Sequence, residues 1–202
     1  MRPKEITLDD GTRVTFRPIR PEDGPGLREA FTHLSSTSRQ RRFFSGVSEL
    51  SDDMINYLTH VDGKNHFAIV ATLESHDLKD ERGVGVARFI RLEKDPTVAE
   101  TAVTVVDDMQ KKGLGRELLR ELSRQAVHRG IEKFRAEVLA NNGPMRKLLD
   151  DVGAELVEDT GDSLIYDVKI STEKDSALDR LFKIAASQVS GFVRNLRPQG
   201  KS

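Results

Sequence analysis

Residues 98–119 read VAETAVTVVDDMQKKGLGRELL, and this stretch decides the fold. Its first part alternates over 98–106, which predicts a β-strand that carries the acid Glu100. The loop QKKGLG follows at 110–115, and the leucine-rich segment after it predicts an amphipathic helix. Because the first turn of a helix offers unpaired N–H groups and the positive end of its dipole, this order predicts an anion site beside a carboxylate.

The composition of the loop suits a pyrophosphate. Gly113 and Gly115 let the backbone come close to a ligand, and the neighbouring lysines and arginine add positive charge. The loop lacks the G-K-[ST] of a P-loop, and Leu118 stands where a dinucleotide fingerprint has its third glycine. A tight turn with two convenient glycines is the alternative. The predicted ligand residues are Gln110, Lys111, Lys112, Gly113, Leu114, Gly115 and Arg116.

Outward from this stretch, the pattern predicts an α/β (α+β) domain with a mixed, mostly antiparallel sheet and flanking helices. Predicted strands cover 5–8, 13–20, 66–73, 84–92, 98–106, 133–140, 154–157 and 163–170. Predicted helices cover 21–33, 38–44, 51–61, 114–129 and 144–152. The leucines of 114–129 have helical spacing, so we assign them to packing against the sheet.

A further apolar stripe at helical spacing covers 175–196. We therefore divide the chain into a domain at 1–172 and a C-terminal amphipathic helix with its tail at 173–202. The helix is expected to pack on the domain's own sheet or to pair two subunits in a homodimer. Its polar face mixes acids and bases, which does not favour a membrane surface.

Charge and composition narrow the class of protein. The chain of 202 residues has 32 basic and 33 acidic side chains, so no global field favours nucleic acid or an anionic membrane. No apolar run is long enough to span a bilayer, and the first residues do not resemble a signal peptide. The absence of cysteine excludes disulfides, thiolate metal sites and a thiol acyl-enzyme. We expect a cytoplasmic protein without a metal, since the five histidines show no ligand spacing.

Two sets of residues in 99–154 resemble the GNAT superfamily of N-acyltransferases. Gln110, Gly113 and Gly115 match its Q/R-x-x-G-x-G/A loop, which in that family holds the pyrophosphate of acetyl-CoA. A later family element is matched by Asn142, Met145, Leu148 and Gly153. The resemblance implies the GNAT fold, acetyl-CoA as acyl donor, and cofactor contacts at Asn142 and Met145.

Two further strings resemble bacterial Pat-type protein-lysine acetyltransferases. They are DGTRVTFRPIRPED at 10–23 and SSTSRQRRFF at 35–44. This resemblance implies that the acceptor amine is a protein lysine. Arg39, Arg41 and Arg42 form a small basic cluster, which is expected either to recognise an acidic surface or CoA phosphate or to be a solvated helix face.

The chemistry of amine acetylation assigns a role to Glu100. A lysine amine has a pKa of about 10.4 and arrives protonated, so a carboxylate near the site is needed to take its proton. Relatives of the Pat type carry their general base at the position of Glu100, and a solvated strand-edge charge is the alternative. In the family, main-chain groups at Thr104, Val105 and Val106 hold the pantetheine arm and the acyl carbonyl.

No general acid is predicted, because Leu149 stands where many family members have tyrosine. Without cysteine, the amine is expected to attack acetyl-CoA directly in a ternary complex. Two other functions remain open. One is acetyl transfer to a small amine, such as an antibiotic, a polyamine or an amino acid. The other is a non-catalytic acyl-CoA sensor.

Overall fold

The computed structural model describes residues 1–33, 49–73 and 81–171. Within these ranges the strands are β1 (Lys4–Thr7), β2 (Arg13–Pro18), β3 (His66–Leu73), β4 (Arg82–Arg91), β5 (Val98–Val105), β6 (Lys133–Leu139), β7 (Glu155–Asp159) and β8 (Ser163–Lys169). The helices are α1 (Gly24–Thr32), α2 (Asp52–Thr59), α3 (Leu114–Val127) and α4 (Gly143–Asp151), and 3-10 turns lie at Pro21–Asp23 and Asp107–Met109.

All these strands join one sheet in the order β1-β2-β3-β4-β5-β6-β8-β7. The first five strands follow one another in chain order as an antiparallel meander. Helix α3 then carries the chain over the sheet to β6, which lies parallel to β5. The remaining pairs, β6 with β8 and β8 with β7, are antiparallel. The predicted mixed, mostly antiparallel sheet is confirmed.

The two faces of the sheet hold different helices. Helix α3 buries its predicted stripe on one face, where Leu118, Leu122 and Ala126 are fully buried. Burying each such leucine contributes about 1.5–3 kcal/mol, which makes this stripe a main source of stability. Helices α1 and α2 lie on the other face and form a smaller cluster around Phe31 and Leu58. Because side chains alternate along a strand, the even positions of β5 face α1 and α2.

Most element boundaries lie within two residues of the prediction. The hydroxyl of Ser51 accepts a hydrogen bond from Met54 N at 3.2 Å, so it caps α2 as the sequence indicates. The strand predicted at 13–20 ends at Pro18, and the helix predicted from Pro21 begins as a 3-10 turn. Strand β4 starts two residues early, because the chain from Arg82 still pairs with the end of β3.

Several predictions concern residues outside the described ranges. These are the short helix at 38–44 with its basic cluster, and the helix at 175–196 with the domain boundary and dimer assigned to it. No helix of the described residues has the length and apolar character needed to cross a membrane. In the same part of the chain, no three metal-ligating side chains come together.

Candidate active site

Strands β5 and β6 separate after a short parallel ladder, which leaves a gap inside the sheet. The ladder joins Val98, Ala99 and Glu100 to Lys133, Phe134 and Arg135. Across the described residues, β5 continues to Val105 and β6 to Leu139 with no further pairing between them. Residues 101–105 therefore turn one edge of β5 toward the gap.

The main chain of β5 alternates between β4 and the gap. Val106 N donates to Val84 O of the β4 side at 3.1 Å, and the ladder between β4 and β5 repeats this bonding at every second residue. The main-chain groups of Val103 and Val105 consequently face the gap. Of the three residues predicted to hold the acyl arm, Val105 presents its main chain there, whereas Thr104 and Val106 line a cavity under α1 and α2.

The predicted phosphate loop runs from the end of β5 into α3. Positive φ angles at Lys111 (63°) and Gly113 (84°) curl the backbone just before the helix. Gln110 Nε2 donates to Val105 O at 3.2 Å and to Asp107 Oδ1 at 2.9 Å, so this side chain ties the loop to the strand. Gly113 is the N-cap of α3 and has no side chain to occupy the first-turn N–H groups, which stay available to an anion.

Of the other predicted loop residues, some pack against the core and the others supply positive charge. The side chain of Leu114 is buried in the core, so this residue offers an anion only its N–H. Gly115 lies in the first turn of α3, with Val105 beneath it. Lys111 is exposed, while Lys112 and Arg116 are half-buried.

Two acids of the β1–β2 turn contact the loop, which the sequence analysis did not foresee. Asp9 Oδ1 pairs with Arg116 Nη2 at 2.9 Å, and Asp10 Oδ2 pairs with Lys112 Nζ at 3.2 Å. Asp9 N also donates to Lys112 O at 3.4 Å. The turn therefore neutralises two cations that lie where phosphate is expected. Nothing in the local pattern signals this contact, since the turn and the loop are far apart in the chain.

The double substitution Asp9→Asn and Asp10→Asn is expected to tighten CoA binding. It removes one carboxylate partner from each of two cations, although Arg116 keeps its pair with Glu117. Because exposed ion pairs are weak, we expect Kd to fall only about two- to fivefold. Calorimetry at low salt measures this change, which should shrink as salt is added. Asp108→Asn is the matched control, because that nearby acid pairs with Arg82 and not with the loop. Weaker CoA binding in the double variant would show that the turn supports the loop instead of competing with phosphate.

Glu100 lies on β5 where the gap begins, and its side chain is half-buried. Burial raises the pKa of its carboxyl group, Arg135 opposes this shift, and Glu137 adds to it. Within the described part of the chain, the Glu100 carboxylate accepts no hydrogen bond and forms no ion pair. A half-buried carboxylate with a raised pKa and unused lone pairs is suited to accept a proton.

Strand β6 brings further charges to the far side of the gap. Arg135 forms a bidentate pair with Asp167, with Nε–Oδ1 at 2.7 Å and Nη2–Oδ2 at 2.9 Å. Glu137 is buried two residues further on and accepts a hydrogen bond from the Ser163 hydroxyl. Neither Arg135 nor Glu137 was predicted from the sequence as a site residue. The alternation KFRAEVL of β6, with polar side chains at 135 and 137, is the signal that could have found them.

The second family element caps and packs α4. Asn142 Oδ1 accepts a hydrogen bond from Met145 N at 3.3 Å, so Asn142 is the N-cap of the helix. The side chain of Met145 is buried in the main core, as is that of Leu149. Contacts from Asn142 and Met145 to the acyl donor remain predictions.

Neither tyrosine stands at the position where many family members have one. Tyr166 is buried in the core. Tyr57 is half-buried, and its ring centroid lies 5.1 Å from that of His66. Burial raises the pKa of Tyr57, Arg88 opposes this, and Glu100 adds to it, so Tyr57 shares an electrostatic environment with the candidate base.

A strand edge open to a gap, a helix N-terminus with free N–H groups and a half-buried carboxylate are the arrangement expected of an acyl-CoA-dependent acyltransferase. The sequence model of the acetyltransferase (GNAT) domain matches residues 13–155, which include every residue predicted for the site. The chain belongs to the GNAT acetyltransferases, a family that takes its acetyl group from acetyl-CoA.

Named relatives place the chain further within the family. It is 35% identical over 164 residues to acetyltransferase Pat of Mycolicibacterium smegmatis, a match that covers 79% of the chain and 46% of that relative. It is 32% identical over 157 residues to an acetyltransferase of Pseudomonas aeruginosa, covering 78% of the chain and 83% of the relative. The chain thus spans about half the length of the M. smegmatis protein.

The fold is similar to the crystal structure of the GNAT domain of S. lividans PAT. The TM-score is 0.72 at 26% sequence identity, and the match covers 83% of this chain and 97% of that domain. The predicted resemblance to GNAT proteins, and to the Pat type among them, is therefore confirmed.

Proposed function

We propose that the protein transfers an acetyl group from acetyl-CoA to the side-chain amine of a protein lysine, by direct attack in a ternary complex. The observation that carries this proposal is Glu100, a half-buried carboxylate without an ion pair or hydrogen bond among the described residues, at the gap that the phosphate loop also borders. The resemblance to Pat-type protein-lysine acetyltransferases supports lysine as the acceptor.

Each part of the site has a role in this reaction. The first turn of α3 and its cations bind the pyrophosphate of CoA. Glu100 takes a proton from the arriving ammonium, and its raised pKa makes it a stronger base than an ordinary glutamate. The amine then attacks the thioester carbon, and the N–H groups of Val103 and Val105 that face the gap are placed to stabilise the oxyanion. The CoA thiolate leaves easily, because thiols ionise near a pKa of about 8.5.

The acceptor is tested by incubating the purified chain with acetyl-CoA and lysine peptides. CoA release and the mass of each peptide are followed together, with the same peptides carrying arginine in place of lysine as the matched control. We expect CoA release and peptide acetylation only with lysine. Turnover confined to a panel of small amines would assign the enzyme to small-molecule acetylation. CoA binding without turnover on any amine would indicate a sensor.

The pH dependence of the reaction tests the environment of Glu100. The negative charge of Glu137 helps to raise the pKa of Glu100, so Glu137→Gln should lower that pKa. The acidic limb of the pH profile of kcat/KM, which reports the base in the free enzyme, is therefore expected to move to lower pH. Ser163→Ala is the control, because it removes the hydroxyl bonded to Glu137 and keeps the charge. An acidic limb that stays in place in Glu137→Gln would exclude Glu100 as the group that titrates there.

A further inference from the structure

A cavity of about 100 Å³ lies between the sheet and helices α1 and α2. Its walls are mainly apolar and include Leu27, Leu58 and Val86. It also touches Thr104 and Val106 at the end of β5, where the acyl group of the donor is expected. The cavity is therefore placed to receive whatever the acyl group carries beyond its carbonyl.

Arg88 lines this cavity and is 3% exposed. Its Nη1 donates to Leu58 O at 3.0 Å and lies 3.1 Å from His66 Nε2. A guanidinium only donates hydrogen bonds, so His66 Nε2 accepts and the His66 ring is neutral. Both contacts are thus to neutral groups. The Nε atom of Arg88 is buried and has no hydrogen-bond partner in the described part of the chain.

The other charged side chains of the cavity are one cation and two carboxylates, and they pair with one another. Arg17 Nη2 pairs with Asp23 and with Glu81, each at 2.7 Å. Arg88 forms no ion pair with any carboxylate of the described residues, and burial lowers its pKa to about 10. A cation kept out of water without an anion is unfavourable unless a ligand supplies one. The cavity consequently combines apolar walls with a buried guanidinium that pairs with no carboxylate of the described residues.

We propose that this cavity binds the carboxylate end of a short acyl arm, so that the enzyme accepts CoA thioesters of small dicarboxylic acids. The proposal rests on the proposed function for the position of the acyl group. The strand register supports the reach, because Val86 lies opposite Thr104 and Arg88 is the next residue on the same face. Such diagonal neighbours are about 7–8 Å apart, which an acyl arm of a few carbons spans.

The positive charge of Arg88 favours a carboxylate over a lysine side chain as the ligand of this cavity. A lysine arm fits apolar walls, but its ammonium would meet the guanidinium of Arg88 and be repelled. A carboxylate there gains charge-assisted hydrogen bonds, including one from the unpartnered Nε. In the transfer itself the amine bonds to the thioester carbon and the C–S bond breaks. The leaving CoA thiolate takes up the proton that the nitrogen loses as the amide forms, and the terminal carboxylate is unchanged.

Calorimetric titration of the full chain with succinyl-CoA and butyryl-CoA tests the inference. The two acyl groups have the same number of carbons and differ in a terminal carboxylate or methyl group. We expect succinyl-CoA to bind about tenfold more tightly or better, the effect of a buried hydrogen bond to a charged partner. Equal or weaker binding of succinyl-CoA by the wild type overturns the inference.

Arg88→Met and Arg88→Lys locate the carboxylate. In Arg88→Met the ratio of the two dissociation constants is expected to fall to about one, and Arg88→Lys should keep part of it. Removal of an uncompensated buried charge should leave Arg88→Met folded with a higher thermal midpoint, which a melting curve checks. An unchanged ratio in Arg88→Met would place the carboxylate elsewhere and overturn the assignment.

The carboxylate bound by Arg88 could instead belong to the acceptor peptide. A further set of measurements tests this source. Acetyl-CoA is offered with lysine peptides that carry glutamate or glutamine next to the lysine. A donor ratio of one, together with an Arg88-dependent preference for the glutamate peptide, would overturn the inference. Because the donor titration measures binding, it stands apart from the proposed function. A tenfold ratio without any transfer to amines would uphold the inference and reject the proposed function.

Discussion

Glu100→Gln is expected to lower kcat for acetyl transfer about a hundredfold or more, which is the usual contribution of a general base. The Kd for acetyl-CoA should change by less than about twofold, because the glutamine keeps the size of the side chain and the phosphate loop does not contact it. Steady-state kinetics and calorimetry measure the two quantities. Glu158→Gln is the control, since it makes the same change at an exposed position of β7. If kcat and affinity fall by the same factor, the assignment of Glu100 as base is wrong.

The same substitution is expected to stabilise the fold at neutral pH. Burial raises the pKa of Glu100 in the folded state, so its favourable contribution is present at low pH and is lost as pH rises through that raised pKa. At neutral pH the ionised carboxylate is a cost to the folded state, and glutamine removes the charge. A higher thermal midpoint in Glu100→Gln, with the gain vanishing at low pH, would show that the burial that raises the pKa of Glu100 also lowers the stability of the fold.

Gly113→Val is expected to weaken CoA binding about tenfold or more. Gly113 has φ +84°, where a side chain is strained, and a Cβ would lie 2.6 Å from Asp9 Oδ2. Holding a non-glycine residue in this region costs about 1–3 kcal/mol, which the loop avoids by leaving the conformation that directs its N–H groups at phosphate. The displaced Asp9 loses its pair with Arg116, which releases that cation toward phosphate and offsets a small part of the weakening.

Gly130→Val is the control that distinguishes a loss of stability through backbone strain from a loss of CoA binding. Gly130 has φ +76° and nothing within 4 Å of its Cβ position, and it lies at the other end of α3. Both variants should lose similar stability in thermal melts, and only Gly113→Val should lose CoA affinity by calorimetry. Equal affinities in the two variants would mean that the loop at 110–115 does not hold the pyrophosphate.

The local sequence pattern was sufficient to predict the two elements that carry the site residues. The pattern of 98–106 and the leucine spacing of 114–129 predicted β5 and α3, although β5 is buried on both faces and only α3 has one buried face. The glycines at 113 and 115 predicted the tight loop between them, which the positive φ of Gly113 bears out. The order of Glu100 early in β5 and the loop after the strand's other end follows from those two elements alone.

Contacts between elements that lie far apart in the chain could not be predicted from the sequence. The gap depends on how few residues of β5 and β6 pair, and that register is set by helix α3 between them. The contact of Asp9 with Arg116 joins residues 107 positions apart. The burial of Arg88 depends on the C-terminal end of α2 and on His66 of β3, whereas its own strand shows only an arginine in an apolar run. Each of these features needs the assembled sheet.

The short ladder between β5 and β6 also determines how firmly the two halves of the sheet are joined. Three residue pairs join the meander β1–β5 to the unit β6–β8, so the backbone seam between the two halves is much shorter than the seven-pair ladders β4–β5 and β6–β8 on either side of it. If the donor arm binds in the gap as proposed, it would pair with the main-chain edge that β5 leaves open, as an added strand does. Bound donor would then join the two halves of the sheet, and its release after each turnover would part them again.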